Sequence, residues 1–298
     1  MKEISNEQLL AELKNRFDQN TEMNKQQSKM LRQLEKLNHR LLQSEKIQSM
    51  FLSNIRNEIN NPLTAILGLS KEMVSGKSTV EKYQKNASLI FSESFLLSLQ
   101  LQNIFVAAEL EAGQYKPYVM SVQINKLFTS TLENFKHLIA RKKLAVRFTT
   151  NLDDEAVFPT DPEKLKVVLS NLLMNAVEYT PPKGEISIAI HKQKDGKLSI
   201  SIQDNGEGIP EEKLGTIFDR FVQLNNGSTK MHPGHGLGLS VVNSLVELLE
   251  GKIEVVSKVK KGSVFLITIP ENQQAFRLNG LSDDGNEFLF DADDSVII

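Results

Sequence analysis

The sequence has no cysteine among its 298 residues. Disulfides, thiol nucleophiles and zinc–thiolate sites are therefore excluded. Long apolar runs are also missing, because none approaches the ~20 residues that a membrane-spanning helix needs, and the polar first ten residues do not resemble a signal peptide. The sequence also lacks an excess of one charge, since it has 35 Lys and Arg residues and 37 Asp and Glu residues. This balance predicts no strong attraction to nucleic acid or to an acidic membrane surface. We expect a cytoplasmic protein with about two domains.

The N-terminal segment, residues 1–45, is polar, contains neither glycine nor proline, and has helical periodicity. Met30, Leu34, Leu37 and Leu41 are spaced by four, three and four residues, a repeat typical of a coiled-coil seam. We predict a coiled-coil helix that favours a parallel homodimer. An amphipathic helix lying on a globular body is the alternative.

Residues 46–114 indicate two long helices joined by a short turn. The first, 51–74, contains Pro62, which predicts a kink because proline removes a backbone hydrogen bond. Turn-forming residues follow at 75–79, and residues 80–112 carry a second apolar face. Two such hairpins would form an antiparallel four-helix bundle in a dimer.

From residue 115 to 270 the pattern changes to alternating helices and strands. We predict an α/β two-layer sandwich with helices on one face of the sheet, which makes the whole chain α+β. Helices are predicted at 124–141, 162–179 and 236–250, and strands at 144–148, 186–190, 198–202, 252–257 and 263–269. Asp161 and Pro162 mark the second helix as its N-cap and first residue. Residues 271–298 are acidic and predict a linker to a further domain, or alternatively a strand that docks back onto the sheet.

Three polar or glycine-rich segments are candidates for chemistry. The first lies on the predicted helix 162–179, where Asn171, Asn175 and Glu178 fall at positions i, i+4 and i+7 and share one face. Carboxamide oxygens suit a Mg²⁺ ion that is already shared with phosphate oxygens. A polar face that is simply solvated is the alternative.

The second segment, Asp204-Asn205-Gly206-Glu207-Gly208, directly follows a predicted strand. Its two glycines permit close approach of a ligand. An ionised aspartate only accepts hydrogen bonds, so Asp204 can recognise an exocyclic amine such as that of adenine. A tight turn without a ligand is the alternative.

The third segment, Gly234-His235-Gly236-Leu237-Gly238, opens the last predicted helix. Backbone amides at a helix N-terminus form an anion site suited to a polyphosphate. The polar loop 222–233 before it lacks apolar periodicity and is predicted to act as a nucleotide lid.

In this order and in an α/β setting, the segments resemble the sensor histidine kinases of two-component systems. The matching segments are 161–180 (N box), 204–210 (first glycine box), 218–221 (F box) and 234–240 (second glycine box). The resemblance covers about residues 45–270 and makes the hairpin similar to the family's dimerisation and histidine-phosphotransfer domain. It implies a bacterial, cytoplasmic transmitter core: an ATP-binding transferase that uses Mg²⁺, forms a homodimer and signals by phosphorelay to a response-regulator receiver domain.

The resemblance also implies roles for individual residues at an ATP site. Mg²⁺ would be ligated by Asn175, with Asn171 assisting near the phosphates. The adenine pocket would be formed by Asp204, Gly206, Gly208 and Tyr179. The lid hinge and phosphate site would be formed by Gly234, Gly236, Leu237 and Gly238, and the phosphates would also be contacted by Arg220 and Lys230. Related ATPases such as type II topoisomerases place a water-activating glutamate where Asn171 stands. An uncharged residue there favours transfer to a protein acceptor over attack by water.

The sequence departs from the family at the phosphoacceptor. The segment 51–63 fits the family's frame, but Asn57 stands where the acceptor histidine is expected. A neutral imidazole nitrogen has a lone pair that can attack phosphorus, whereas that of a carboxamide is delocalised. The five histidines, His39, His137, His191, His232 and His235, all lie elsewhere. We therefore predict that autophosphorylation is blocked. Glu178 also replaces a family lysine, which raises the electrostatic cost of bringing phosphates close.

Other elements of the acceptor segment persist. Glu58 would be the family's proton acceptor, and Glu58 with Asn61 keeps a spacing similar to the family's phosphatase motif. Asn61 would then orient water against a receiver's phosphoaspartate; a structural residue before Pro62 is the alternative. Three hypotheses are therefore open: a transmitter core whose acceptor is replaced, a nucleotide-responsive pseudokinase scaffold that binds a response regulator, and a receiver phosphatase that uses Asn61.

Overall fold

A computed structural model describes residues 6–75, 79–113, 117–220 and 236–271. The predicted lid 222–233, with Lys230, and the glycine Gly234 lie outside these residues, as does the linker beyond Glu271. The chain divides into two compact units, 1–56 and 57–298. The domain boundaries inferred from the sequence remain predictions.

The N-terminal unit is helical in its described part. Helix α1 runs over Asn6–Val74, and on it Met30, Leu34 and Leu37 of the predicted seam are 64%, 54% and 55% exposed. An apolar stripe that is open in a single chain is what a coiled-coil partner would cover. The coiled coil itself and the kink at Pro62 remain predictions.

The second unit contains the end of α1 and helix α2, Val80–Glu111. Thr79 caps α2 by accepting a hydrogen bond from the Lys82 amide, and Asn86 donates to the Glu72 carboxylate at 3.0 Å. These contacts connect the two helices across the turn, as a hairpin requires.

Helix α2 is long and apolar enough, by length and composition, to cross a membrane, and it alone meets this criterion in the described part of the chain. One such helix does not by itself establish a membrane span, and the expectation that the chain has none remains a prediction. Core helices of soluble domains meet the same criterion. Phe95 of α2 packs edge-on against Phe135, with 5.0 Å between ring centroids.

The remaining elements form an α/β domain, which confirms the predicted class. They are β1 (Met120–Gln123), α3 (Ile124–Glu133), α4 (Lys136–Lys142), β2 (Ala145–Thr150), β3 (Val157–Thr160), α5 (Pro162–Tyr179), β4 (Glu185–Lys192), β5 (Leu198–Asp204), α6 (Glu211–Leu214), α7 (Gly238–Leu248), β6 (Lys252–Lys258) and β7 (Gly262–Ile269). The main sheet has the order β2-β4-β5-β7-β6. Among the strands that the structure describes, only β2 and β4 pair in parallel, which is possible because α5 lies in the crossover between them. Strands β1 and β3 form a separate antiparallel pair that the sequence pattern did not predict.

Local signals placed α5 correctly, whereas the helix predicted over 124–141 is wrong. Helix α5 starts at Pro162, and the Asp161 side chain accepts from the Lys164 amide at 3.0 Å. The single helix is instead two, α3 and α4, interrupted near Phe135. The Phe135 side chain at this break is fully buried.

The core lies between the helices and one face of the main sheet. Ile186, Ile188 and Ile190 of β4 alternate with half-buried residues, as expected for a strand with one covered face. Leu165, Leu169, Leu172 and Leu173 of α5 are almost fully buried. The apolar side of α5 is therefore buried in the core, and the face that carries the asparagines is directed toward the glycine segments.

Candidate functional site

The N-terminal end of α5 is fixed by a buried ion pair. The Lys164 ammonium lies 2.5 Å from Asp161 Oδ2, and the same oxygen accepts from the Tyr118 amide at 2.6 Å. Both charged side chains are almost completely buried, so removing either would leave an uncompensated charge. This arrangement fixes the start of the helix that carries Asn171, Asn175 and Glu178.

The first glycine segment lies against the other end of α5. Gly206 has no room for a side chain, because a Cβ there would collide with the carbonyl oxygen of Tyr179. The Glu207 amide donates to that same carbonyl at 3.3 Å. Gly208 adopts a positive φ of 69°. The turn that follows β5 is therefore held directly against the last residue of α5.

Asp204 is buried at the base of this turn, with 5% of its surface exposed. Its Oδ1 accepts from the Gly206 amide at 2.8 Å. Burial raises the pKa of Asp204, while backbone hydrogen bonds from Gly206 and Ser263 act in the opposite direction. A buried carboxylate held by backbone donors can select a ligand that brings a donor of its own.

The second glycine segment lies against the middle of α5. A Cβ at Gly238, the first residue of α7, would come within 2.8 Å of Asn171 Oδ1. Leu237 is buried, and its carbonyl accepts from the Val241 amide at 2.8 Å. Gly236 adopts a positive φ of 67°. The start of α7, with its backbone amides, therefore lies beside Asn171.

Helix α5 thus brings both described glycine segments together along one face. The contact with Gly206 is at Tyr179 and the contact with Gly238 is at Asn171, eight residues apart or ~12 Å along a helix. Asn175 lies between them and is half-buried. An arrangement with a carboxylate at one end and helix amides at the other suits an amine-bearing group joined to an anion.

Asn171 has a partner that the sequence did not suggest. Its amide pairs reciprocally with that of Asn103 on α2, with both hydrogen bonds at 2.7 Å. Its Nδ2 also donates to the Val167 carbonyl at 2.9 Å. The only sequence signal for this pairing was an asparagine within the largely apolar α2.

Two further residues of the predicted site, Arg220 and Tyr179, are described by the structure. Arg220 is exposed, and its Nη1 lies 3.6 Å from a Glu111 carboxylate oxygen. Tyr179 is 37% exposed, and burial of its phenol, aided by Glu178 and Glu207, raises the pKa of Tyr179 to about 12. The phenol is therefore neutral at physiological pH and can donate a hydrogen bond.

The acceptor-segment residues lie on α1. Asn57 and Asn61 are exposed there. The backbone of Glu58 is helical, but its side chain lies outside the described residues. Exposure makes both asparagines accessible to another protein.

The described residues offer few ligands for a divalent cation. Among the described residues, no group of three or more His, Asp or Glu is close enough to hold a metal. Asn175 and Glu178 offer oxygen donors on one face of α5, which are the donors that Mg²⁺ prefers. This donor set fits Mg²⁺ only where phosphate oxygens and water complete the coordination.

Comparison with known proteins identifies relatives of this domain. Residues 160–273 match the family described as histidine kinase-, DNA gyrase B- and HSP90-like ATPase. The chain is 34% identical over 235 residues to the autoinducer 2 sensor kinase/phosphatase LuxQ of Vibrio vulnificus, covering 76% of this chain and 27% of LuxQ. It is 31% identical over 225 residues to the circadian input-output histidine kinase CikA of Synechococcus elongatus, covering 74% and 30%. The chain thus spans less than a third of these relatives.

A solved structure is similar in fold. Full-length ShkA in complex with AMPPNP matches with a TM-score of 0.52 and 24% sequence identity, over 76% of this chain and 45% of ShkA. At this level of identity the likeness concerns the fold alone.

Proposed function

We infer that this chain is a transmitter of the sensor histidine kinase type. Residues 160–273 match an ATPase family that includes these kinases. The relatives of the chain, LuxQ and CikA, are a sensor kinase/phosphatase and a histidine kinase. The specific proposal is that ATP with Mg²⁺ binds along α5, between the two glycine segments. The observation that carries it is the contact of both segments with one helix, at Tyr179 and at Asn171.

The adenine would bind at the Asp204 end. Ionised Asp204 would accept a hydrogen bond from the exocyclic amine, while the Gly206 amide holds the carboxylate at 2.8 Å. Tyr179, only partly exposed, would cover one side of the ring. This end of the site selects the base.

The phosphates would bind at the α7 end. Backbone amides at the start of α7 attract anions, and the lack of a side chain at Gly238 leaves space beside Asn171. Asn175 would ligate Mg²⁺, which neutralises phosphate charge when bound. Glu178, one turn further along α5 toward the adenine end, would add negative charge to the site, which disfavours phosphates that carry no counterion.

The acceptor position decides whether phosphoryl transfer can occur once nucleotide is bound. Asn57 is exposed on α1, but its amide nitrogen is not a nucleophile for phosphoryl transfer. The chain would bind ATP without phosphorylating itself. It would act through a homodimer formed by its helices, with a response-regulator receiver domain as partner and the bacterial cytoplasm as location.

Two further functions are alternatives. A nucleotide-responsive scaffold would bind a response regulator without catalysis. A receiver phosphatase would use Asn61 to orient water, which is favoured by the exposure of Asn61 on α1 and by the name of LuxQ, a sensor kinase/phosphatase. Loss of phosphate from a phosphorylated receiver, faster with the native chain than with Asn61→Ala, would distinguish the phosphatase from the scaffold.

Nucleotide binding tests the central proposal. Calorimetric titration with ATP and Mg²⁺ should detect binding, and Asp204→Ala should weaken it at least tenfold, since a hydrogen bond to a charged group contributes ~1.5–3 kcal/mol. Asp195→Ala is the control, because Asp195 is exposed on the β4–β5 turn and pairs with Lys197. Equal affinity in the Asp204 variant would refute the assignment of the adenine site.

A further inference from the structure

The last residue of α4, Lys142, places its side chain at the C-terminal end of α5. Its Nζ donates to the carbonyl oxygens of Val177, Glu178 and Thr180 at 2.8, 2.6 and 2.9 Å. The last four carbonyls of a helix lack partners within the helix. An ammonium group has three donors, and all three are used here.

The charge of Lys142 suits this position. A helix C-terminus carries partial negative charge, which a cation stabilises. Burial lowers the pKa of Lys142, and the carboxylates of Glu178 and Glu207 oppose that effect. The half-buried ammonium is therefore balanced by three carbonyl dipoles and two nearby carboxylates.

The backbone of Lys142 makes a second connection to the same turn. Its carbonyl accepts from the Lys183 amide at 2.9 Å. Lys143 then adopts a left-handed conformation with φ 56°, which directs the chain into β2. Lys142 thus contacts the α5–β4 connection near both of its ends, at Thr180 and at Lys183.

The turn that Lys142 holds also contacts the proposed adenine site. The carbonyl of Tyr179, between two carbonyls bound by Lys142, accepts from the Glu207 amide. It also occupies the space that a side chain at Gly206 would need. A shift of Tyr179 must therefore move the turn whose Gly206 amide binds Asp204.

We propose that Lys142 is a positioning residue for nucleotide binding: its three carbonyl contacts fix the end of α5 and thereby hold Tyr179 against the Asp204–Gly208 turn, beside which adenine binds. The proposal rests on the nucleotide site described above. Lys142 need not touch the nucleotide, since it acts through the backbone of residues 177–180.

The test compares Lys142→Met with Lys143→Met. Methionine keeps most of the apolar stem but removes all three donors, whereas Lys143 is exposed and serves as a matched control. Calorimetric titration with ATP and with ADP, each with Mg²⁺, should show about tenfold weaker binding of both nucleotides to Lys142→Met. The loss should be equal because the two share their adenine end. Lys143→Met should match the native chain.

Two further measurements distinguish positioning of the adenine site from a general loss of structure. Amide hydrogen exchange should accelerate at Glu207 in Lys142→Met and stay unchanged at Ile200 in β5, and Lys142→Arg should recover part of the affinity. Should Lys142→Met fail to fold, Lys142→Gln takes its place with an expected loss of at least threefold. Native affinity in a folded variant, or a loss for ATP alone, would overturn the inference. Failure of the native chain to bind either nucleotide would instead refute the proposed function.

Discussion

Asn103 of α2 and Asn171 of α5 are joined by two amide hydrogen bonds of 2.7 Å each. Because Asn171 Nδ2 also donates to the Val167 carbonyl, both of its amide hydrogens are used. In this arrangement Asn171 has no hydrogen left to donate to a phosphate. A hydrogen bond from the Asn171 amide to a phosphate would therefore require that its bond to Asn103 or its bond to Val167 be broken.

Removing the partner of Asn171 should strengthen nucleotide binding. Each hydrogen bond contributes about 0.5–1.5 kcal/mol net, so we expect Asn103→Ala to bind ATP with Mg²⁺ roughly three- to tenfold more tightly than the native chain. Calorimetric titration measures the difference. Gln102→Ala is the control, since Gln102 is the exposed neighbour of Asn103 on α2. Unchanged or weaker binding in Asn103→Ala would show that the pair does not compete with nucleotide.

The ionisation of Asp204 should make binding depend on pH. Burial raises the pKa of Asp204, so protonation in the folded state begins above the usual range of an aspartate. A protonated carboxyl presents a competing donor, and we expect adenosine binding to weaken on acidification before an ordinary aspartate would titrate. Adenosine is the probe because it has no phosphate to titrate. Constant affinity down to the ordinary aspartate range would contradict this prediction.

The raised pKa of Asp204 also makes stability depend on pH. The direction of this dependence is opposite to that produced by a salt-bridged carboxylate, whose pKa is lowered. A native pKa above the unfolded one means that the folded chain binds the proton more tightly. The contribution of Asp204 to stability is therefore full below its unfolded pKa and is lost as pH rises through its native pKa. Thermal unfolding of the native chain and of Asp204→Ala should show the native chain gaining relative stability on acidification through this window. A relative loss would refute the direction of the shift.

The packing of Gly206 against Tyr179 allows a matched test. A Cβ at Gly206 would collide with backbone atoms of Tyr179, whereas one at Gly215 would meet nothing within 4 Å. We expect Gly206→Ala to lower the free energy of unfolding by about 1–3 kcal/mol, as overpacking does, and to weaken ATP binding. Gly215→Ala should leave both unchanged. Denaturant unfolding and titration measure the two effects, and equal stability of the variants would contradict the close contact.

Elements defined by adjacent residues were predictable, and those defined by distant contacts were not. Helix α5 begins where Asp161 and Pro162 indicated, because an N-cap and a first-turn proline act within a few residues. At the break between α3 and α4, buried Phe135 packs against Phe95, forty residues earlier in the chain. Nothing near residue 135 in the sequence signals that contact.

The candidate site likewise has features that the local sequence predicts and features that depend on distant contacts. Asp204, Gly206 and Gly238 could be selected because glycine spacing and helix starts have local physical causes, and the structure brings their segments together on α5. The pairing of Asn171 with Asn103 depends on how α2 packs against the domain, and so does the contact of Arg220 with Glu111. Tertiary packing, not motif spacing, decides these contacts.

The acceptor position provides the test that separates a missing nucleophile from a defective ATP site. With γ-labelled ATP, the native chain should remain unlabelled, whereas Asn57→His should gain label, because an imidazole nitrogen can attack phosphorus and an amide nitrogen cannot. Asn60→His controls for the mere presence of an exposed histidine on α1 and should stay unlabelled. Labelling of the native chain would refute the argument from Asn57. If Asn57→His binds ATP but gains no label, then Glu178 or another difference within the ATPase domain, rather than the acceptor alone, prevents transfer.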